Sequence, residues 1–171
     1  MNPVHLHLAL NHVVIMAALF SAFLFIAGII RKNQLIKNIA LIGFVLSAVS
    51  AIPVFLTGEP SEETVEHLPG VMESVIETHE DAAEFSLWMI EIAGIISLGS
   101  LLAKKVAWFR SATFSGVMVI VSIVSAAAIS YTGYLGGQIR HTELSGNATQ
   151  YNMPGGEQGG EQGGDNDHDD D

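Results

Sequence analysis

The chain has 171 residues, 49% of them apolar and 15% charged, with a formal net charge of −11 at pH 7. Its mean hydropathy is +0.40 in spite of a long polar C-terminal segment, which argues against an ordinary soluble domain and for a single membrane domain. Cysteine is absent, which excludes disulfides, thiolate chemistry, covalent c-type haem attachment and Cys-ligated iron–sulfur clusters, and the acidic balance makes nucleic acid a poor partner.

Four apolar stretches follow one another over Asn11–Ile30, Ile39–Phe55, Phe85–Ala103 and Phe114–Leu135. Each is close to the length that a hydrocarbon core of about 30 Å asks of a helix, and lipid leaves backbone polar groups few alternatives. The fold class expected is therefore all-α. Residues 1–144 form an integral membrane four-helix bundle, and residues 145–171 form a disordered tail rich in Gly and Asp. No cleavable signal peptide is expected, because the first apolar run continues past any reasonable cleavage length.

The charges are sorted by segment. Arg31, Lys32 and Lys37 sit between the first two runs, and Lys104, Lys105 and Arg110 between the last two. The acids occupy the Gly58–Glu84 connection and the tail, with Glu91 alone inside a run. Basic connections face the cytoplasm, so the expectation is a multi-pass protein of the bacterial cytoplasmic membrane with both termini outside.

In chain order, Pro3 can open the first helix before the membrane, with His5, Leu8, His12 and Ile15 on one side. In the second helix Gly43, Ser47 and Ser50 allow a neighbour to come close, and Pro53 bends the helix and frees a carbonyl. Gly58-Glu59-Pro60 breaks it. Ser61 is positioned to cap a short helix and Pro69 to open the next. In that next helix Glu73, Glu77, Glu80, Glu84 and Glu91 recur at helical spacing as one acidic stripe. Gly94, Gly99, Ser122, Ala126 and Ser130 read as helix-contact positions, and Trp108 and Phe109 as an interfacial anchor.

Every histidine falls on the predicted outer side. His12 inside the first run, His79 before the third and His141 after the fourth lie at one depth on three helices and can converge. Two sites are open to them. In one, His12 with His79 or His141 ligates a noncovalent haem b, with Trp88, Tyr131, Tyr134 or Arg140 at ring edges or propionates. In the other, His12, His79 and Glu80 or Glu84 hold a bare transition metal such as Zn, Cu or Fe. Against both stands the reading in which the histidines and tyrosines only satisfy interfacial hydrogen bonds and no cofactor binds. Glu91 inside the bilayer calls for a partner or a proton-transfer role.

The histidine-bearing start of the first helix (His5 to His12), His79, and the segment Gly133-Tyr134-Leu135-Gly136-Gly137-Gln138-Ile139-Arg140-His141 resemble the DUF2231 family of small bacterial four-helix membrane proteins. Here His12 is followed by Val13-Val14-Ile15 where the resemblance implies a His-Phe-Pro step, so His5, His7 and His12 remain alternatives. The resemblance implies the fold over residues 3–144 and no settled activity. The expected function is a haem b- or metal-binding module, serving as an electron-transfer subunit beside other membrane or redox-complex subunits. The alternative is a cofactor-free accessory or structural subunit whose acidic segments dock a basic extracytoplasmic protein. No independent catalytic activity is expected.

Overall fold

The computed structural model describes residues 3–67, 71–103 and 105–140. They form α1 (Pro3–Ile30), α2 (Gln34–Leu56), α3 (Gly58–Val65), α4 (Glu73–Leu102) and α5 (Ala112–Arg140), with a 3-10 turn at Ala107–Arg110 before α5. The tail, His141 and Pro69 lie outside the described residues, as do the side chains of Pro3 and Arg140.

The α1–α2 hairpin is closed by local chemistry. The Asn33 amide donates to the Gly28 carbonyl at 2.9 Å and the Lys32 amide to Ile29 at 3.0 Å, the pairing that ends a helix through one left-handed residue. That residue is Lys32, with φ of 50°. The Asn33 side chain then accepts the amides of Leu35 and Ile36 at 2.9 and 3.2 Å, which caps α2.

At the opposite end Pro53 does not stop α2, which runs on to Leu56. Thr57 Oγ1 lies 2.9 Å from both the Pro53 and the Val54 carbonyls. Two details differ from the sequence expectation. α3 begins at Gly58 with Pro60 in its first turn, where a missing amide costs little. Ser61 is inside that helix, its hydroxyl donating back to the Thr57 carbonyl at 2.6 Å, so it is no cap. α4 spans 30 residues, about 45 Å at a helical rise of about 1.5 Å per residue, longer than a hydrocarbon core of about 30 Å requires.

The four long helices form a square in which α1 and α4 each pack on α2 and α5. One cluster, around Phe25, Leu41, Phe44, Phe114 and Met118, lies toward the basic connections; the other, around Val14, Ala18, Ala48, Ile90 and Ile129, lies toward α3. Between these side chains the seams are made of small residues. Gly94 faces Ala48 and the Phe44 carbonyl, and a Cβ there would collide with Ala48. Ser47 donates to the Val14 carbonyl and Ser125 to Met89, each at 3.1 Å, tying α2 to α1 and α5 to α4. Ser130, expected at a contact, is exposed and bonds Ala126 of its own helix.

All four long helices are long and apolar enough to cross a membrane, and in each apolar window only 28–33% is buried inside the bundle. Phe23, Ile95 and Ile120 stand 68%, 67% and 65% exposed, a surface that lipid or another apolar surface must cover. The fold is thus an all-α membrane bundle. Gly94→Val should weaken the α2–α4 seam and lower unfolding free energy in detergent by about 1–3 kcal/mol. Gly116, which has open space around its missing Cβ, should accept Ala with no loss, and thermal or denaturant melts compare the two variants directly.

Candidate functional site

The acidic end of the bundle gathers polar groups from every helix. His7 on α1 is half-buried, its Nδ1 3.0 Å from the Val54 carbonyl and 3.3 Å from Thr57 Oγ1. A carbonyl only accepts, so Nδ1 carries the proton and Nε2 is the free nitrogen of the neutral ring. His79 on α4 repeats the arrangement, donating from Nδ1 to the Thr132 carbonyl of α5 at 3.1 Å. Its ring fills the space that Gly136 leaves, since a Cβ there would stand 3.0 Å from His79 Cε1. Thr132 Oγ1 lies 2.8 Å from Ser86 Oγ and donates to the Ala82 carbonyl at 2.9 Å, a second tie between α4 and α5.

His7 and His79 lie within electrostatic reach of one another. His12 is placed differently: exposed, with Nδ1 donating at 2.6 Å to the Leu8 carbonyl one turn back in its own helix. The histidine of α1 whose ring reaches a neighbouring helix is therefore His7. A signal for this was present in the chain. His7 shares a helical side with the buried residues Val14, Ala18, Ser21 and Phe25, whereas His12 shares one with the exposed Met16, Phe20 and Phe23.

His5, Glu80 and Glu84 are exposed. Trp88, Tyr131 and Tyr134 are exposed as well, at 59%, 53% and 61%, and the Tyr134 hydroxyl accepts from Gln138 at 2.8 Å. These aromatics belong to the outer surface of the bundle and do not frame an internal space. His141 and the Arg140 side chain fall outside the described residues. Among the described residues no three His, Asp or Glu side chains are grouped so as to hold a metal ion.

α3 closes this end. It packs on α1 and α2, and its Glu62 carboxyl lies within hydrogen-bonding reach of Glu80 on α4. That hydrogen bond first, then burial and the charges of Glu80, Glu66 and Glu59, push Glu62 up from 4.5 to about 7. Glu91 lies deeper on the same stripe, with Oε1 buried and unpartnered.

No protein family, curated protein or solved structure matches the chain. What the geometry offers chemically is two oriented imidazoles with free Nε2 atoms, a close carboxyl pair whose Glu62 member is pushed up to about 7, and one carboxyl inside a span.

The sign of the pH response follows from Glu62. Below pH 4.5 it is protonated with α3 docked or free; from there to about 7 docking must take up a proton; above about 7 the Glu62 carboxylate is charged beside its acidic neighbours and docking is disfavoured. Spin labels at Thr64→Cys and Thr78→Cys should report a short α3–α4 distance at acid pH that lengthens or broadens as pH rises through about 7. In Glu62→Gln, whose amide donates to Glu80 at any pH, the short distance should persist throughout.

Proposed function

We propose that the chain is a cofactor-free accessory or structural subunit of a larger membrane complex. It is seated in the bacterial cytoplasmic membrane, with α3 and both termini on the extracytoplasmic side and the two basic connections inside. The observation that carries the reading is Glu91. It lies within the Phe85–Ala103 apolar run, is partly exposed at the flank of α4, and has one carboxyl oxygen buried with no hydrogen-bond partner. A carboxyl at that depth is costly unless paired. Among the described residues no side chain hydrogen-bonds that oxygen, and the Lys and Arg side chains that are described, Arg31, Lys32, Lys37, Lys105 and Arg110, lie toward the far end of the bundle. A helix of another subunit that donates or accepts a hydrogen bond at this level would satisfy the group and fix the seam. The exposed acids Glu59, Glu63, Glu66 and Glu73 add a surface suited to a basic extracytoplasmic partner.

A second reading, the haem b- or metal-binding electron-transfer module, is favoured by one feature. His7 and His79 each anchor Nδ1 to a backbone carbonyl, the orientation that presents Nε2 of a histidine to a metal. Haem bound there would supply one-electron chemistry. The protein's part would be to hold the two rings in place from α1 and α4.

Glu91 gives the sharper test. Glu91→Gln keeps a donor and an acceptor, and Glu91→Leu keeps neither. Cross-linking in native membranes should place wild type and E91Q in one species larger than the 18.2 kDa chain and should leave E91L as the chain alone. A wild type that never cross-links contradicts the subunit reading. A reduced-haem absorption band lost in both H7A and H79A would favour the second reading in its place.

A further inference from the structure

The basic end holds a cleft of about 340 Å³ lined by Gln34, Lys37, Asn38, Ser100, Phe109 and Arg110. Three separate segments build it: the first turn of α2, the last turn of α4 and the 3-10 turn. Two of its walls carry full positive charge, and no acid is at hand to neutralise them. The sequence contains no Asp or Glu before Glu59, and none between Glu91 and Glu143. Among the described residues the single ion pair is His67 with Glu66, at the opposite end.

The neutral groups of the cleft are also set to donate. The Gln34 amide nitrogen is spent on Asn38 Oδ1 at 2.9 Å, which orients the Asn38 amide and leaves its own nitrogen available. Ser100 is buried at 8% exposure, lines the cleft, and its hydroxyl has no hydrogen-bond partner among the described residues. The amides at the start of α2 are occupied by Asn33, so the site is one of side chains. Two cations and two donors around one volume, with no carboxylate among them, match a phosphate anion.

We propose that this cleft binds the phosphate of an anionic phospholipid headgroup, held between Lys37 and Arg110 with Ser100 and Asn38 as additional donors. The location selects a lipid over a soluble phosphate. The cleft lies where the apolar spans end, and Leu35 and Leu102, 68% and 78% exposed, flank it in sequence. A phosphate entering there is at headgroup level with a surface for its acyl chains alongside. Phe109 packs edge-on against Trp108 and Phe114, with ring centroids 4.9 and 5.3 Å apart, and so braces the turn that carries Arg110.

Native mass spectrometry of the full chain released from nanodiscs of phosphatidylcholine and phosphatidylglycerol tests this assignment. Wild type should retain one phosphatidylglycerol in preference to phosphatidylcholine. Lys37→Gln and Arg110→Gln should each reduce that retention about fivefold, the worth of one basic side chain near a charged headgroup. Lys105→Gln, a cation outside the cleft, should retain lipid as wild type does. Equal retention of the two lipids by wild type, or an equal loss in K105Q and K37Q, would overturn the site. Displacement of the lipid by millimolar inorganic phosphate alone would overturn its lipid source.

Discussion

In a lipid solvent, burying apolar surface does not by itself bring helices together, so this bundle depends on close contact between backbones and on hydroxyl groups that bond across seams. Gly94 against Ala48, Ser47 on the Val14 carbonyl and Ser125 on Met89 are such contacts, one for each of three seams. The large side chains Phe25, Phe44 and Met118 then fill the space those approaches leave. Apolar residues of similar size on the outside, such as Phe23 and Ile120, are exposed and take no part in that packing.

The same logic makes the two ends different. At the basic end the helices are closed by short turns, a capping asparagine and an aromatic triad, and the positive charges stay unpaired around a cleft. At the acidic end, histidine and threonine side chains reach backbone carbonyls of neighbouring helices, and Glu62 of α3 lies beside Glu80 of α4. The polar groups of this end serve first to join helices. The cofactor-free subunit proposal rests on Glu91, and the free Nε2 atoms of His7 and His79 keep the haem or metal reading as the second.

Much of this was legible in the chain, and the part that was not has a physical cause. The spans and the sorting of charge were readable because hydrocarbon tolerates neither exposed backbone nor stray charge. The acidic stripe was readable from spacing alone: Glu73, Glu77, Glu80 and Glu84 are all exposed. The choice between His7 and His12 was harder, because a helix that faces protein on one side and lipid on the other is apolar all round and shows no amphipathic contrast. Only the small residues Ala18, Ser21 and Ala22 marked the inner side of α1. The cleft at Lys37 and Arg110 was hidden for another reason. Those charges read as markers of topology, and nothing in their spacing showed that α2 and the α4–α5 connection bring them together.

The orientation of the bundle underlies both the subunit proposal and the lipid site, and the chain's lack of cysteine makes it directly measurable with single introduced thiols. In intact cells a membrane-impermeant thiol reagent should modify Thr64→Cys on α3 at once and should reach Lys32→Cys and Lys105→Cys only after the membrane is permeabilised. Labelling of the two lysine positions in intact cells with Thr64→Cys protected, or of all three alike, would contradict the account.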